Sequence, residues 1–383
     1  MVRRDWWPAA TVARLALATA CLCAVAGPIA AQEAATDADR TRRLVESLGL
    51  READAPLTQS PAWRKPSRVL MVGVPAERRE WLQAAAPGVT LVMADSDVTA
   101  GADASTVDAV IGSCSPALLN AAPRVRWVQT FNAGVERCLT SPVIADRGIL
   151  LTNMQRVAGP AMAEHVIALM LSFARALPAY HDAQRRRAWE RSPSGASPAF
   201  TLEGKTVLVV GLGGIGTEVA RRAHGLGMTV LATRASARPA PPFVNEVGLA
   251  DSLTRFTPRA DFVVNTLPLT AETRGQFDAR VFATMKRGAY FVNVGRGATV
   301  VTDDLMQALR SAAIAGAGLD VVEPEPLPPD HPLWTMANVI ITPHSSSDSD
   351  VDEESRWLVV RENLRRYVAG ERMLSVVDPK RGY

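Results

Sequence analysis

The sequence has no strong excess of charge of either sign. Its 42 lysines and arginines and 39 aspartates and glutamates leave a formal net charge of +3 over 383 residues. Proteins that hold nucleic acid by its phosphates usually carry a clustered positive surface, and this near balance gives no sign of one. The composition therefore argues against a nucleic-acid partner and favours a small molecule.

Cysteine is scarce as well, with four residues in the whole chain. Cys21 and Cys23 lie near the N-terminus, whereas Cys114 and Cys138 lie far from them and from each other. None of the four belongs to a pattern with metal-ligand spacing or to a pair of CxxC form, so the sequence predicts no metal site. We interpret Cys114 and Cys138 as small buried residues.

Long hydrophobic runs are also missing, apart from one near the N-terminus. The run Leu15–Ala26 contains no charged residue and follows Arg3 and Arg4, and small residues come after it up to Ala31. This layout is typical of a secretory signal peptide, and the run is too short for a stable membrane span. We expect residues 1–31 to be a signal and the protein to be periplasmic or secreted. An N-terminal anchor and a start codon placed too far upstream stay open, and without a working signal the protein is cytoplasmic.

The chain does contain enough apolar material for two domains. Hydrophobic residues make up 48% and charged residues 21% of the sequence, which is globular composition. Residues 32–66 are polar without a sustained period, and we predict a flexible lead with one short helix over residues 41–48. Beyond the lead, helical stretches alternate with short apolar runs that begin near Arg68, Val89, Val107, Val125 and Ile149.

These runs are hydrophobic throughout rather than at alternate positions. That pattern is typical of parallel strands covered by helices on both faces. A long helix is predicted from Pro160 to Tyr180, and a second series of strands and helices begins at Thr206. The predicted fold class is therefore α/β, with two parallel-sheet domains of the Rossmann-like or flavodoxin-like kind.

The second series opens with the segment TVLVVGLGGIGTEVARR. A predicted strand runs into Gly211, Gly213 and Gly216, and the predicted helix that follows can point its first N–H groups at a pyrophosphate. Gly211 permits a tight turn, Gly213 lets phosphates approach the backbone, and Gly216 lets the helix pack near the strand. The position between a strand and a helix is the context that a dinucleotide site requires.

The end of the next strand bears on which dinucleotide is bound. Proteins that bind NAD usually place an acidic residue here for the ribose hydroxyls. This chain has Thr233-Arg234-Ala235-Ser236 instead. A cation at Arg234 and a hydroxyl at Ser236 suit a 2′-phosphate, so NADP(H) is favoured. NAD(H) stays possible, with Arg234 stacked on the adenine or in solvent.

Further motifs follow in the order NTLPLTAETRG, NVGRGATVV, AGLDVVEPEPLP and ITPH. With the glycine fingerprint they resemble the D-isomer-specific 2-hydroxyacid dehydrogenase family, and its glyoxylate and hydroxypyruvate reductases in particular. The resemblance begins at about Arg68 and is dense from Leu202 to His344. It implies an NAD(P)-dependent reductase of small 2-keto acids, with the active site in the cleft between two domains.

The resemblance also implies a catalytic triad. Arg296 in NVGRG matches the family's arginine, whose planar fork can bind a carboxylate. His344 in ITPH matches the histidine, a residue type that exchanges protons near neutral pH. Glu325, immediately before the second proline of EPEP, matches the glutamate that would orient the histidine, whereas Glu323 is expected to be structural or exposed.

Other contacts are implied in the same way. Backbone N–H groups of Ala133, Gly134 and Val135 would hold the substrate carboxylate opposite Arg296 and His344. The implied cofactor contacts are Gly211, Gly213, Gly214, Ile215, Gly216, Arg234, Ser236, Leu267, Pro268, Thr273, Val294, Arg296, Asp320 and His344.

Domain boundaries follow from the family pattern. Residues 67–157 and 345–383 are expected to form a discontinuous substrate-binding domain, and residues 158–344 an NAD(P)-binding Rossmann domain. The pattern also implies a homodimer, formed through the dinucleotide domain and the long helix. A phosphite-type dehydrogenase and a non-catalytic NAD(P)-binding module that acts as a redox-linked protein partner stay open as alternatives.

Overall fold

Two parallel sheets organise the chain. The computed structural model describes residues 36–101, 103–193, 198–350, 352–379 and 382, so the predicted signal peptide lies outside the described residues. The first sheet contains β1 (Arg68–Val72), β2 (Thr90–Ala94), β3 (Ala109–Ile111), β4 (Trp127–Gln129) and β5 (Leu150–Thr152). The second contains β6 (Thr206–Val210), β7 (Thr229–Arg234), β8 (Glu246–Leu249), β9 (Phe262–Asn265), β10 (Tyr290–Asn293), β11 (Gly316–Leu319) and β12 (Val339–Ile341).

The strand order is β2-β1-β3-β4-β5 in the first sheet and β12-β11-β10-β9-β6-β7-β8 in the second. Neighbouring strands in both sheets pair in parallel. The predicted α/β fold with two parallel-sheet domains is therefore confirmed. In sheets of this kind ligands bind beyond the carboxyl ends of the strands, which is where the predicted site residues lie.

Helices connect the strands. They are α1 (Asp37–Leu48), α2 (Arg79–Gln83), α3 (Asp97–Ala100), α4 (Pro116–Ala121), α5 (Val143–Asp146), α6 (Gly159–Ala174), α7 (Leu177–Arg185), α8 (Gly214–Gly225), α9 (Leu253–Phe256), α10 (Ala279–Thr284), α11 (Thr302–Arg310) and α12 (Asp352–Ala369). Among the described residues no single helix is long and apolar enough to cross a membrane. Only α6 and α7 together, bent by 69°, meet the criteria of length and composition.

Both faces of each sheet are covered, which explains the continuous hydrophobic runs. In β6, Val207 and Val209 pack into one hydrophobic core and Leu208 packs into the core on the opposite face. In β1, Val69 and Leu70 are divided between two further cores in the same way. Because side chains along a strand point alternately to the two faces, a strand covered on both sides is apolar at every position.

The segment predicted as a flexible lead instead packs on the first sheet from Asp37 onward. The α1 residues Leu44 and Val45 pack against a core that also contains Trp357 of α12 and Val69 of β1. Downstream in the same segment, the indole of Trp63 donates a hydrogen bond to the Tyr367 carbonyl at 3.0 Å. The segment was predicted to be flexible because its composition is polar overall, but its few apolar residues are enough to pack it on the first domain.

The long helix predicted from Pro160 to Tyr180 is divided in the structure. α6 ends at Ala174, and Ala176 takes a left-handed conformation with φ of 53° before α7 begins. Pro178 explains the break, because proline has no N–H to donate and its ring clashes with the carbonyl of the residue four positions earlier. The prediction of one continuous helix was therefore wrong.

Cys114 and Cys138 form a disulfide, whereas the sequence predicts only small buried residues. Their Cα atoms are 5.1 Å apart, and the two residues are 24 positions apart in the chain. β3 and β4 are neighbouring parallel strands, so the loops beyond their carboxyl ends lie side by side. The disulfide joins the loop after β3 to a short 3-10 helix, Glu136–Leu139, that directly follows the predicted substrate loop.

Candidate active site

The glycine-rich turn between β6 and α8 has the shape that a dinucleotide requires. Gly211 has a φ of 101°, which residues with a Cβ rarely adopt. A Cβ at Gly216 would collide with the carbonyl oxygen of Gly211, whereas a Cβ at Gly213 would meet no atom within 4 Å. The first N–H groups of α8, at Gly214, Ile215 and Gly216, have no carbonyl partner inside the helix. The turn therefore lets α8 pack closely on β6, leaves space at Gly213 for a phosphate, and presents the N–H groups of 214–216 as donors.

Arg296 extends from the second domain to the predicted substrate loop. It follows β10, and its Nε donates a hydrogen bond to the Glu136 carboxylate at 2.9 Å. One terminal nitrogen donates to the Gly295 carbonyl at 2.7 Å. A Cβ at Gly134 would collide with the other terminal nitrogen, so glycine is needed there for the guanidinium to reach the loop.

The predicted substrate loop presents free backbone donors beside this guanidinium. The carbonyl oxygen of Ala133 is already engaged, because it accepts from the buried Asn153 side chain at 2.6 Å. In the part of the chain that the structure describes, the N–H groups of Ala133, Gly134 and Val135 donate no hydrogen bond. Successive free N–H groups in a loop form a concave surface that suits an anion.

His344 pairs with Glu325 rather than with Glu323. The His344 Nδ1 and a Glu325 carboxylate oxygen are 2.5 Å apart, and both side chains are partly exposed. Within the described residues the Glu323 carboxylate has no hydrogen bond or ion pair. The Glu323–Pro324 and Glu325–Pro326 peptide bonds are both cis. The contact with Glu325 leaves Nε2 as the ring nitrogen available to a substrate.

Asp320 holds the turn that carries His344. Its carboxylate is buried and accepts from the N–H groups of Ser345 at 2.9 Å and Ser346 at 3.2 Å. Its carbonyl oxygen accepts from the His344 N–H at 2.8 Å. These bonds hold His344 at a φ of 54°, a left-handed conformation that a residue with a Cβ keeps only when its surroundings impose it.

The remaining predicted cofactor residues differ in burial and in hydrogen bonding. Thr273 donates to the Pro268 carbonyl at 2.7 Å and closes the loop after β9. Leu267 lies partly buried in the same loop, close to Gly211 of the glycine-rich turn and to Gly295 after β10. Val294 is buried in the core, so only its backbone can face a ligand. Ser236 lies on the exposed segment after β7.

Three residues beside the site have contacts that the sequence did not predict. Glu136 pairs with Arg296 across the cleft. The side chain of Arg156 lies against Gly214 in the glycine-rich turn. His165 Nε2 is 3.0 Å from the Thr342 hydroxyl, which donates to Asp320 at 2.7 Å. Glu136 had a cue in the sequence, since it directly follows the loop residue Val135. Arg156 and His165 lie in LTNMQRVAGPAMAEHV, the part of the first series that most clearly resembles the family.

A cavity separates the two domains at this point. It has a volume of about 280 Å³ and is lined by Glu136 and Leu139, which follow the substrate loop, and by Leu269 and Arg274, which follow β9. Both domains contribute loops from the carboxyl ends of their strands to this lining. Among the described residues, the lining includes neither Arg296 nor His344, so the cavity lies beside the catalytic residues and is not formed by them.

Buried polar atoms without partners indicate that the residues present fit a dinucleotide. The Nε of Arg234 and the Oγ of Ser346 are buried and make no hydrogen bond within the described residues. Such atoms are rare in proteins. Arg234 ends β7, the position expected at the adenine ribose, and Ser346 lies two residues beyond His344. Together with the open space at Gly213, these donors suit the class of two-domain, dinucleotide-binding proteins.

Comparison with known proteins agrees with this class. Residues 167–346 match the family described as D-isomer specific 2-hydroxyacid dehydrogenase, NAD binding domain. The chain is 35% identical over 260 residues to the glyoxylate reductase/hydroxypyruvate reductase of Mus musculus, covering 67% of this chain and 79% of that protein. It is 36% identical over 267 residues to glyoxylate/hydroxypyruvate reductase B of Salmonella agona (strain SL483), covering 69% and 81%.

Solved structures give the same result. An NADPH-dependent glyoxylate/hydroxypyruvate reductase from Sinorhizobium meliloti, in complex with NADP and sulfate, matches with a TM-score of 0.71 and 31% identity, covering 83% of this chain and all of that chain (100%). A D-isomer specific 2-hydroxyacid dehydrogenase from Xanthobacter autotrophicus Py2, in complex with NADPH and MES, matches with a TM-score of 0.72 and 32% identity, covering 84% and 100%.

The chain belongs to the D-isomer specific 2-hydroxyacid dehydrogenase family. It is an NAD(P)-dependent oxidoreductase that acts on CH–OH groups, and the resemblance drawn from its motifs is confirmed. Membership of a family of enzymes argues against the non-catalytic alternative.

Proposed function

We propose that the protein reduces a small 2-keto acid of the glyoxylate or hydroxypyruvate kind, with Arg296, Glu325 and His344 as its catalytic triad. The observation that carries the proposal is the position of the Arg296 guanidinium beside the free N–H groups of 133–135. A planar guanidinium beside a row of backbone donors suits a carboxylate with a carbonyl next to it. The relatives named as glyoxylate and hydroxypyruvate reductases support the same substrate class.

Each residue has a separate task in the proposed reaction. Arg296 and the substrate loop hold the carboxylate from two sides and thereby orient the carbonyl. His344 donates the proton from Nε2 to the carbonyl oxygen, and in the reverse oxidation it removes that proton. Glu325 accepts from Nδ1, which fixes the tautomer and stabilises the charged ring. The reduced nicotinamide, when bound, supplies the hydride.

We propose NADP(H) as the preferred cofactor, with NAD(H) accepted less well. Arg234 and Ser236 follow β7, where an acidic residue would repel a 2′-phosphate. The buried Nε of Arg234 lacks a partner within the described residues, which supports an anionic ligand there. The neighbours solved with NADP or NADPH support the same preference.

A panel of substrates tests the proposed activity. The purified protein should oxidise NADPH in the presence of glyoxylate or hydroxypyruvate, and kcat/KM should be at least about tenfold lower with NADH, because only NADPH supplies the 2′-phosphate. Phosphite with NADP⁺, in the same assay, tests for the alternative activity of a phosphite-type dehydrogenase. Absence of turnover with every 2-keto acid, in protein that binds NADPH tightly, would contradict the proposal.

We also propose that the protein is exported to the periplasm or beyond. The sequence layout of residues 1–31 supports a signal peptide, and the Cys114–Cys138 disulfide is of a kind that persists mainly in oxidising compartments. In cells that are fractionated and treated at once with an alkylating agent, peptide mapping should find the two cysteines linked in the exported fraction. Free thiols at both positions, or a protein confined to the cytoplasm with residues 1–31 intact, would contradict export.

The disulfide should also contribute to stability. Loss of a bridge that closes a loop of this length lowers the melting temperature by about 5–10 °C in a protein of this size, mainly by freeing the unfolded chain. Cys138→Ser should show this decrease in differential scanning calorimetry. A reductant is the matched control, since it should lower the melting temperature of the wild type to that of Cys138→Ser and leave the variant unchanged.

We propose a homodimer that uses α6, α7 and the segment after them. Leu171, Leu177, Tyr180 and Trp189 are exposed there, and Trp189 is 99% exposed. Large exposed apolar residues that follow one another closely in the chain support an interface on these elements. Analytical ultracentrifugation should give twice the mass of the chain, and Leu177→Glu should shift the distribution toward monomer. A monomer at all concentrations would exclude the dimer.

A further inference from the structure

Four arginines form a connected group that adjoins the glycine-rich turn: Arg156 touches the turn, Arg51 and Arg238 act on the charge of Arg156, and Arg234 donates to the carbonyl of Arg238. They are Arg51 after α1, Arg156 before α6, and Arg234 and Arg238 after β7. Within the described residues none of the four makes an ion pair with a carboxylate. The acid that acts most directly on Arg156, Glu218, is itself paired with Arg221 and Arg222. In the part of the chain that the structure describes, this group of cations therefore has no carboxylate at ion-pair distance.

Arg156 connects the N-terminal segment to the turn. Its Cγ lies where a side chain at position 214 would lie, 2.6 Å from a Cβ placed on Gly214. Its guanidinium donates a hydrogen bond to the Leu48 carbonyl, at the end of α1, at 3.3 Å. The backbone of Arg156 has a φ of 75°, a left-handed conformation that is unfavourable for a residue with a Cβ. The chain thus holds this arginine over the first residue of α8.

The neighbouring arginines lie close enough to Arg156 to act on its charge. Burial lowers the pKa of Arg156, and the positive charges of Arg51 and Arg238 lower it further. Burial and the charge of Arg238 lower the pKa of Arg51 in the same way. The segment after β7 turns back, so that Arg234 donates to the carbonyl oxygen of Arg238. Like charges held together without a counter-ion are unfavourable, and an anion relieves that repulsion.

We propose that Arg51 and Arg156 complete a phosphate-binding site for the dinucleotide from the side of the first sheet, so that the N-terminal segment from Asp37 to Arg51 belongs to the cofactor site. The ligand chemistry is phosphate, from either the diphosphate bridge or the 2′-phosphate of NADP(H). Both arginines lie outside residues 167–346, the part of the chain that matches the family's NAD-binding domain. If the bound phosphate is the 2′-phosphate, the inference rests on the proposed preference for NADP(H). If it is the diphosphate, which both cofactors contain, the inference does not depend on that preference.

A fluorescence titration of the full-length protein with NADPH and with NADH tests this site without any turnover. The variants are Arg51→Gln, Arg156→Gln and the double variant, because glutamine removes the charge and keeps most of the stem. Arg43→Gln is the matched control, since Arg43 is an exposed arginine of α1. Each single variant should weaken NADPH binding about tenfold and the double variant more, as expected for a lost charge-assisted hydrogen bond. Arg43→Gln should bind like the wild type.

The two cofactors distinguish the two phosphates. Weaker binding of NADPH alone assigns the arginines to the 2′-phosphate, and equal weakening of both cofactors assigns them to the diphosphate. Unchanged affinity for both cofactors in the double variant would overturn the inference. If Arg156→Gln fails to fold, inorganic pyrophosphate provides the second measurement: it should raise the melting temperature of the wild type more than that of Arg51→Gln. An equal rise in both proteins would also overturn the inference.

Discussion

Replacing His344 with asparagine should lower kcat for 2-keto acid reduction by roughly 10³-fold, which is within the usual contribution of a general acid. Asparagine keeps a polar side chain of similar size at a backbone φ of 54°, a conformation that asparagine tolerates better than most residues. The fold should therefore survive, so that the loss appears in kcat and not in the amount of folded protein. An unchanged kcat would show that another group supplies the proton.

The two glutamates before His344 provide a test and its control, because only Glu325 contacts the ring. Glu325→Gln removes the carboxylate 2.5 Å from the ring and should lower kcat about 10- to 100-fold, with a changed pH profile. Glu323→Gln alters the same exposed turn without touching the ring and should leave kcat near the wild type. Loss of activity in Glu323→Gln with Glu325→Gln unaffected would show that the wrong glutamate was chosen.

Replacing Arg296 with lysine should lower kcat/KM by roughly 10²- to 10³-fold, because lysine keeps the charge but loses the planar fork that can hold a carboxylate and its neighbouring carbonyl together. The loss should appear in both KM and kcat, since the guanidinium binds the substrate and polarises it. Steady-state kinetics with glyoxylate measure both parameters.

Arg287→Lys is the control for this change. Arg287 is an exposed arginine in the turn before β10, at the opposite end of the strand from Arg296. It should behave as the wild type in the same assay. If Arg296→Lys retained full kcat/KM, the substrate carboxylate would have to be held elsewhere, and the free N–H groups of 133–135 would be the first alternative to examine.

The strands could be predicted well from sequence because burial on both faces leaves an unbroken apolar run. β8 escaped prediction because its residues are half-buried or exposed at the edge of the second sheet, so burial imposes no pattern on them. The break between α6 and α7 was missed although Pro178 marks it, since the apolar residues continue through the break. Local composition therefore predicts which segments are buried better than where each element ends.

The glycine turn could be predicted from its spacing between a strand and a helix, whereas Arg296 and Glu325 were assigned through the resemblance of their motifs to the family. The pairing of Glu136 with Arg296 could not be predicted, since the two residues are brought together only when the two sheets face each other. Arg156 over Gly214 also depends on how the two domains pack. Cys114 and Cys138 come together for another reason, because β3 and β4 are neighbours in the first sheet. These contacts depend on strand register and domain packing, which sequence spacing does not contain.

The central claim is that this chain transfers hydride from a nicotinamide to C2 of a 2-keto acid held by Arg296. The most direct measurement is the incubation of the purified protein with hydroxypyruvate and NADPH deuterated at C4 of the nicotinamide, followed by chiral separation and mass spectrometry of the product. The wild type should form D-glycerate with deuterium at C2, and Arg296→Lys or His344→Asn should form hardly any. Cofactor oxidation without deuterium in any hydroxy acid, or the same yield from all three proteins, would contradict this mechanism.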